Sequence, residues 1–359
     1  MLSGVRVVEF EGLGPAPFAG MMLADLGAEV IVVHRPTPSP LTGEQSLLDR
    51  GKRSITLDLK SPADLGVARA LCDRADALIE GLRPGVMERL GLGPETCHAR
   101  NPALVYGRMT GWGQDGPRAD QAGHDLNYLA TSGALWHASA PGEPPFPPPT
   151  MLGDIGGGAL YLVAGVLAGL LAVRGGAPGP VVDAAIVDGS AHMTALLMAL
   201  RQAGSMSARR GEGLLDGPHW ARCYACADGG FISVQCVEPQ FYAAFLAVLG
   251  LDDTPALAEQ HDPGQWPRQT AQLAGVFAAE PVAHWAALFD GTDACVAPVL
   301  SPDAAAQEPH MRARGVWQAP GGVLQPAPAP RFDGARRDPA PVPRRGQHSQ
   351  EIRDELGRS

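Results

Sequence analysis

Three polar clusters interrupt apolar surroundings and carry the residues best able to do chemistry. The first is Gly123-His124-Asp125-Leu126-Asn127-Tyr128. The second is Gly153-Asp154-Ile155-Gly156-Gly157-Gly158, which opens a long apolar run. The third is Glu238-Pro239-Gln240-Phe241-Tyr242, which opens a shorter one. Asp154 is followed by glycines, so a substrate can approach the backbone closely there. An aspartate at a helix start is also a good N-cap, and both readings fit the residue alone. A helix N-terminus favours the charged carboxylate, which suits a base or a nucleophile; an acid would need its pKa raised by desolvation or by bound substrate. His124 titrates near neutrality and can take or give a proton, although a polar histidine at a loop–helix junction reads the same way.

A second group of residues points to an anion. The only two lysines, Lys52 and Lys60, lie close to Arg35, Arg50 and Arg53. They read either as a solvated surface or as a site for a phosphorylated small molecule. Arg35, Lys60, Arg83 and Arg89 each fall just beyond an expected strand. In open α/β sheets ligands bind outside those carboxyl ends, so the four cations could meet on one anion. The first strand–loop–helix has Gly12-x-Gly14 but Pro17 where a third glycine belongs, a broken dinucleotide fingerprint. The second strand ends in His34-Arg35, and an Arg there suits the phosphorylated ribose of NADP or of coenzyme A.

The elements that must position these residues alternate. Strands are expected at 5–10, 30–33, 54–57, 77–80 and 104–109, with helices at about 18–26, 62–73 and 85–90. That pattern implies a parallel sheet covered on both faces. The segment 141–150 holds six prolines and is extended. Helices are expected at 157–174 and 183–203, around a short strand at Val181-Val182. A Gly-rich polar stretch near 209–218 suggests a linker. Beyond it come a hairpin, 221–225 with 231–235, and helices at 240–249 and 269–279. Residues 317–345 are Pro-rich and should wrap over other surface. The expected organisation is a large domain over 1–205, a linker over 206–221, a small domain over 222–310, and a return segment over 311–359 that ends in a helix on the large domain.

Bulk properties set limits. With 45% hydrophobic residues the chain can build a real core, and a net charge of −10 argues against nucleic acid as a partner. No secretory leader is visible. The apolar run 156–173 is near the lower limit for a membrane span, and its Gly and Ala content favours a buried core helix. Cys223-x-x-Cys226 lacks a second ligand pair, so no metal is expected. The chain ends Gly357-Arg358-Ser359 rather than in Ser-Lys-Leu, which makes the cytoplasm the expected compartment.

These motifs, in this order, resemble the α-methylacyl-CoA racemase family of the family III CoA-transferase superfamily. The resemblance rests on Leu2-Ser3-Gly4-Val5-Arg6-Val7-Val8-Glu9, Asp25-Leu26-Gly27-Ala28-Glu29-Val30, Leu57-Asp58-Leu59-Lys60 and Arg83-Pro84-Gly85-Val86-Met87-Glu88-Arg89-Leu90-Gly91. It continues through Arg108-Met109-Thr110-Gly111-Trp112-Gly113-Gln114, Gly123-His124-Asp125, Val182-Asp183-Ala184-Ala185, Asp293-Ala294-Cys295-Val296-Ala297-Pro298-Val299 and Gly346-Gln347-His348-Ser349.

The resemblance implies an α/β fold, with a Rossmann-like large domain and a smaller α+β domain in an interlocked homodimer. It implies an acyl-CoA substrate whose CoA site is lined by Arg35, Leu57, Asp58, Leu59, Lys60, Gly81, Leu82, Arg83, Arg89 and Gly123 with Asp125 to Tyr128 (Asp125, Leu126, Asn127, Tyr128). His124 and Asp154 would be the acid–base pair, and Glu238 of the second subunit would support His124. No cofactor is implied, because CoA enters as part of the thioester. A family III CoA-transferase that uses Asp154 as a nucleophile remains the alternative, and an NADP-dependent oxidoreductase is a third reading.

Overall fold

The computed structural model describes residues 1–38, 40 and 43–357. Arg358 and Ser359, part of the ending on which the expected cytoplasmic compartment rests, lie outside that range. The chain divides into two compact units: residues 1–134, 147–193 and 310–359 form the first, and residues 135–146 and 194–309 the second.

The first unit is built on β1 (Arg6–Phe10), β2 (Glu29–His34), β3 (Arg53–Thr56), β4 (Ala77–Glu80), β5 (Val105–Thr110) and β6 (Val181–Ala185). They form one sheet in the order β3-β2-β1-β4-β5-β6. Every adjacent pair in it is parallel. This is the Rossmann order, with its switch point between β1 and β4. The strands are near-continuous apolar runs because both faces are covered. One face packs Val7, Val30, Ile79 and Met109 against Ala19 and Leu23 of α1 (Pro15–Asp25) and against Leu162 and Val166 of a later helix. The other packs Val8, Ile31, Leu78 and Tyr106 against α2 (Pro62–Asp73), α4 (Pro94–Arg100) and Ile352 of the C-terminal helix Ser349–Gly357. Between α2 and α4 lies the short α3 (Val86–Arg89). Prolines at the starts of α1, α2 and α4 fit there because a helix's first residues need no amide donor.

Two helices differ from the sequence expectation. The chain enters the first not as an α-helix but as a π-helical segment, Met151–Ala159, which continues into α6 (Leu160–Arg174). Together they are long and apolar enough to cross a membrane, yet one side packs into the sheet's core. The helix expected over 183–203 is three elements. Residues through Ala185 pair with β5, because Val181 and Val182 begin a β-branched run that the neighbouring strand can use. Then come α7 (Ile186–Met193) and, in the second unit, α8 (Ala195–Gln202). The sequence reading also passes over α4 and α5 (Asp125–Ser132).

The second unit holds an antiparallel sheet, β7 (Ala221–Ala225), β8 (Phe231–Gln235) and β9 (Val296–Pro298). It packs with α9 (Pro239–Leu249), α10 (Trp266–Phe277) and α11 (Val282–Phe289) around stacked rings of Tyr224, Phe245, Phe277 and Phe289. Cys226 and Cys236 are buried in that core. Residues 206–221, read from sequence as a linker, are held inside this unit. His219 and Trp220 are fully buried, and the Asp216 carboxylate accepts from the amides of Gly211 and Gly213.

Candidate active site

At the switch point, β1 runs into the loop Glu11–Gly14, and the π-helical segment approaches that loop from the other side. A Cβ built on Gly14 would lie 3.5 Å from Asp154 Oδ2. Asp154 is therefore not an N-cap. It is an internal residue of the π segment, whose cap position is Thr150 at φ 60°. A β-branched residue in the left-handed region is strained, and such strain collects where a site fixes its backbone.

The α5 helix supplies the rest of the cluster. His124 is its N-cap, exposed, and its amide donates to Asn127 Oδ1 at 3.0 Å. Asp125 is 9% exposed, and its Oδ1 accepts the amide of Asp154 at 2.8 Å. Tyr128 donates its hydroxyl to the Gly123 carbonyl and meets Trp112 edge to face at 4.8 Å. Arg118 lies over the opposite ring, 5.1 Å from the Trp112 centroid.

Burial and the nearby Asp125 charge push the Asp154 carboxyl up to about 6, against the opposing pull of His124. Burial raises the Tyr128 phenol as well, and Asp154 adds to that shift. So the helix-start charge preference expected from sequence is outweighed by desolvation and a like charge. The arrangement holds a carboxyl able to carry a proton near neutrality, within electrostatic reach of an imidazole.

The cations sort into two sets. Lys52, Arg50 and Arg53, read from sequence as part of an anion site, are already neutralised. Lys52 Nζ lies 2.6 Å from Glu9 Oε2 and 3.6 Å from Asp49 Oδ1, with neither lysine nor glutamate exposed. Burial in that pair lifts Glu9 to about 7. Arg50 is buried against Asp25 at 2.5 Å, and Arg53 binds Glu29, Glu351 and Glu355. Sequence could not show this, because Glu9, Asp25, Glu29, Glu351 and Glu355 are all distant along the chain from the cations they pair with.

Arg35, Lys60, Arg83 and Arg89 are exposed, and the first three follow the carboxyl ends of β2, β3 and β4. The Arg35 guanidinium pairs with Glu11, Nε to Oε2 at 3.4 Å. Leu57 is buried beneath this edge. Asp58 is exposed and accepts the Lys60 amide at 3.0 Å, which shapes the turn through the half-buried Leu59. Gly81 is exposed, and the amide of Leu82 donates to Glu80 at 2.7 Å. Leu126 presents an exposed side chain on α5.

Two positioning residues escaped the sequence reading. Glu11 accepts from both terminal nitrogens of Arg345, at 3.0 and 2.7 Å, and from the amide of Arg35 at 2.7 Å. Arg345 also donates to the Arg35 carbonyl at 2.9 Å. The return segment thus pins the backbone that carries Arg35. Glu238 lies in the second unit as the exposed N-cap of α9.

The profile of CoA-transferase family III matches residues 2–349. α-Methylacyl-CoA racemase of Mus musculus is 43% identical over 366 residues, covering 99% of this chain and 93% of the mouse protein. The Homo sapiens protein of the same name is 41% identical over 368 residues, with the same coverage. Among solved structures, a CAIB/BAIF family protein from Brucella suis superposes with a TM-score of 0.79 at 25% identity, over 99% of both chains.

Proposed function

Because the chain belongs to CoA-transferase family III, we propose that it interconverts (2R)- and (2S)-2-methylacyl-CoA thioesters. The thioester acidifies the hydrogen on its α-carbon. Inversion needs one proton carrier on each face of that carbon: one group removes the proton, a planar enolate forms, and the other group reprotonates the opposite face. His124 and Asp154 take these roles and exchange them between the two stereoisomers.

The arrangement that carries this reading is Asp154 tied by its amide to Asp125 Oδ1 at 2.8 Å, Asp125 being the chain neighbour of His124, with burial pushing the Asp154 carboxyl up to about 6. A group that both takes and returns a proton must have both forms accessible at working pH. A raised pKa also makes a carboxylate more nucleophilic, so it is the pairing with His124 that favours proton transfer over covalent catalysis. The backbone amides near Asp125 are candidates to receive the enolate oxygen. The cations Arg35, Lys60, Arg83 and Arg89 would bind the CoA phosphates, with Leu57–Lys60, Gly81–Arg83 and Gly123–Tyr128 lining the carrier. No additional cofactor is required, since CoA arrives with the acyl group. We place Glu238 of a second subunit beside His124, in a homodimer.

The test uses one stereoisomer of a 2-methylacyl-CoA in deuterated water, with no acceptor acid. Deuterium should enter at the α-carbon as optical activity is lost. If neither happens, and CoA moves only when a free carboxylic acid is added, the protein is a transferase with Asp154 as nucleophile.

A further inference from the structure

Asp125 was read from sequence only as part of a CoA-binding loop, yet its side chain faces the candidate proton carrier. We propose that Asp125 is a positioning residue for the reaction above: its buried carboxylate anchors the backbone of Asp154 and keeps that carboxyl able to hold a proton. The inference rests on the racemase reading for its consequence and on contacts for its substance.

The first contact is the 2.8 Å hydrogen bond from the Asp154 amide to Asp125 Oδ1. The second is Gly153. A Cβ there would fall 2.4 Å from the same oxygen, so the carboxylate lies flush against the 153–154 peptide and only glycine leaves room. The third is burial, since Asp125 is 9% exposed and its charge is poorly screened. Asp125 also occupies the first position of α5, where the helix dipole welcomes a negative charge. A like charge in the same pocket disfavours ionisation of Asp154 and adds to the effect of its burial.

Several elements present side chains to this pocket. From α5, His124 pulls Asp154 in the opposite direction and Tyr128 stays a phenol. The β1–α1 loop presents Gly14. From α7, Ser190 abuts Gly157 and Met193 abuts Gly156, while His192 is bonded to Tyr161. β5 presents Met109 to Gly158, and Asp183 of β6 accepts the Gln114 amide.

The experiment separates charge from anchor. Asp125→Asn retains shape and an oxygen acceptor but removes the charge. The Asp154 pKa should fall, by on the order of one unit. As base, Asp154 works above its pKa, and as acid below it, so both pH–rate limbs that report it move to lower pH. Asp125→Ala also loses the anchor, and kcat should drop about 10- to 100-fold. A 13C-NMR titration of the Asp154 carboxyl, assigned with Asp154→Asn, reads the same shift without turnover. Should Asp125→Asn not fold, Asp125→Ser supplies an uncharged acceptor for the same titration. An unmoved Asp154 titration in a folded variant overturns the proposal. Failure of the unmodified chain to racemise would instead overturn the functional reading, and the NMR titration would still decide this one.

Discussion

His124 and Asp154 are held in different ways, and the difference has a kinetic signature. Asp154 sits half-buried in a helix, while His124 is exposed at the first cap of α5. If each serves one face of the α-carbon, removing one leaves the other able to exchange a proton on its own face. His124→Ala should slow racemisation by about 10²- to 10⁴-fold. Exchange of the α-proton with deuterated water should persist for one stereoisomer and vanish for the other, as followed by 1H-NMR on each. Equal residual exchange from both would mean that the two residues do not divide the faces. Both residues were legible in sequence because they interrupt apolar runs. The Asp125–Asp154 contact was not, since it joins residues 29 apart across two elements. The same limit explains the cations: Lys52 and Lys60 look alike in sequence, and only folding pairs Lys52 with Glu9.

At the scale of elements, the π segment and α7 meet in a close backbone contact beside the site. A Cβ on Gly189 would lie 1.9 Å from the Gly157 carbonyl oxygen, and one on Gly157 would lie 2.4 Å from Ser190 Oγ. Gly189→Ala must push the two helices apart, and overpacking of this kind costs about 1–3 kcal/mol. Thermal unfolding should report that loss, and α-proton exchange should slow with it, because Asp154 rides on the displaced segment. Unchanged unfolding would show that the contact gives way freely. The strands and the 221–225/231–235 hairpin could be read from β-branched runs and turn residues. The π geometry could not. Its glycines have no pattern of their own, and the close approach of α7 that they permit joins elements separated along the chain.

For the whole molecule, the alternation of strands and helices was legible, but the strand order was not, because it depends on which crossovers pack together. Each unit also displays apolar side chains that folding leaves uncovered. In the first, Met151 is 67% exposed and Leu171 72%. In the second, α8 buries no residue and shows Leu196 at 67%. Contiguous apolar surface marks association sites, and α8 presents both Leu196 and Met198 to solvent. Sedimentation equilibrium should return the mass of two chains at micromolar concentration; a single-chain mass would remove the second-subunit role given to Glu238.

The outer edge of β3 carries a further consequence. Its amides at Ser54 and Thr56 are taken by His348 Nδ1 at 3.0 Å and Ser349 Oγ at 3.1 Å, and the Ser54 carbonyl receives the His348 amide at 2.9 Å. An uncovered strand edge is a template for pairing with other chains. Here the cover lies 294 residues downstream of what it covers. Closing so long a loop is slow. During synthesis, the sheet's edge therefore waits bare until His348 and Ser349 have left the ribosome, and over that interval it is open to pairing with other chains.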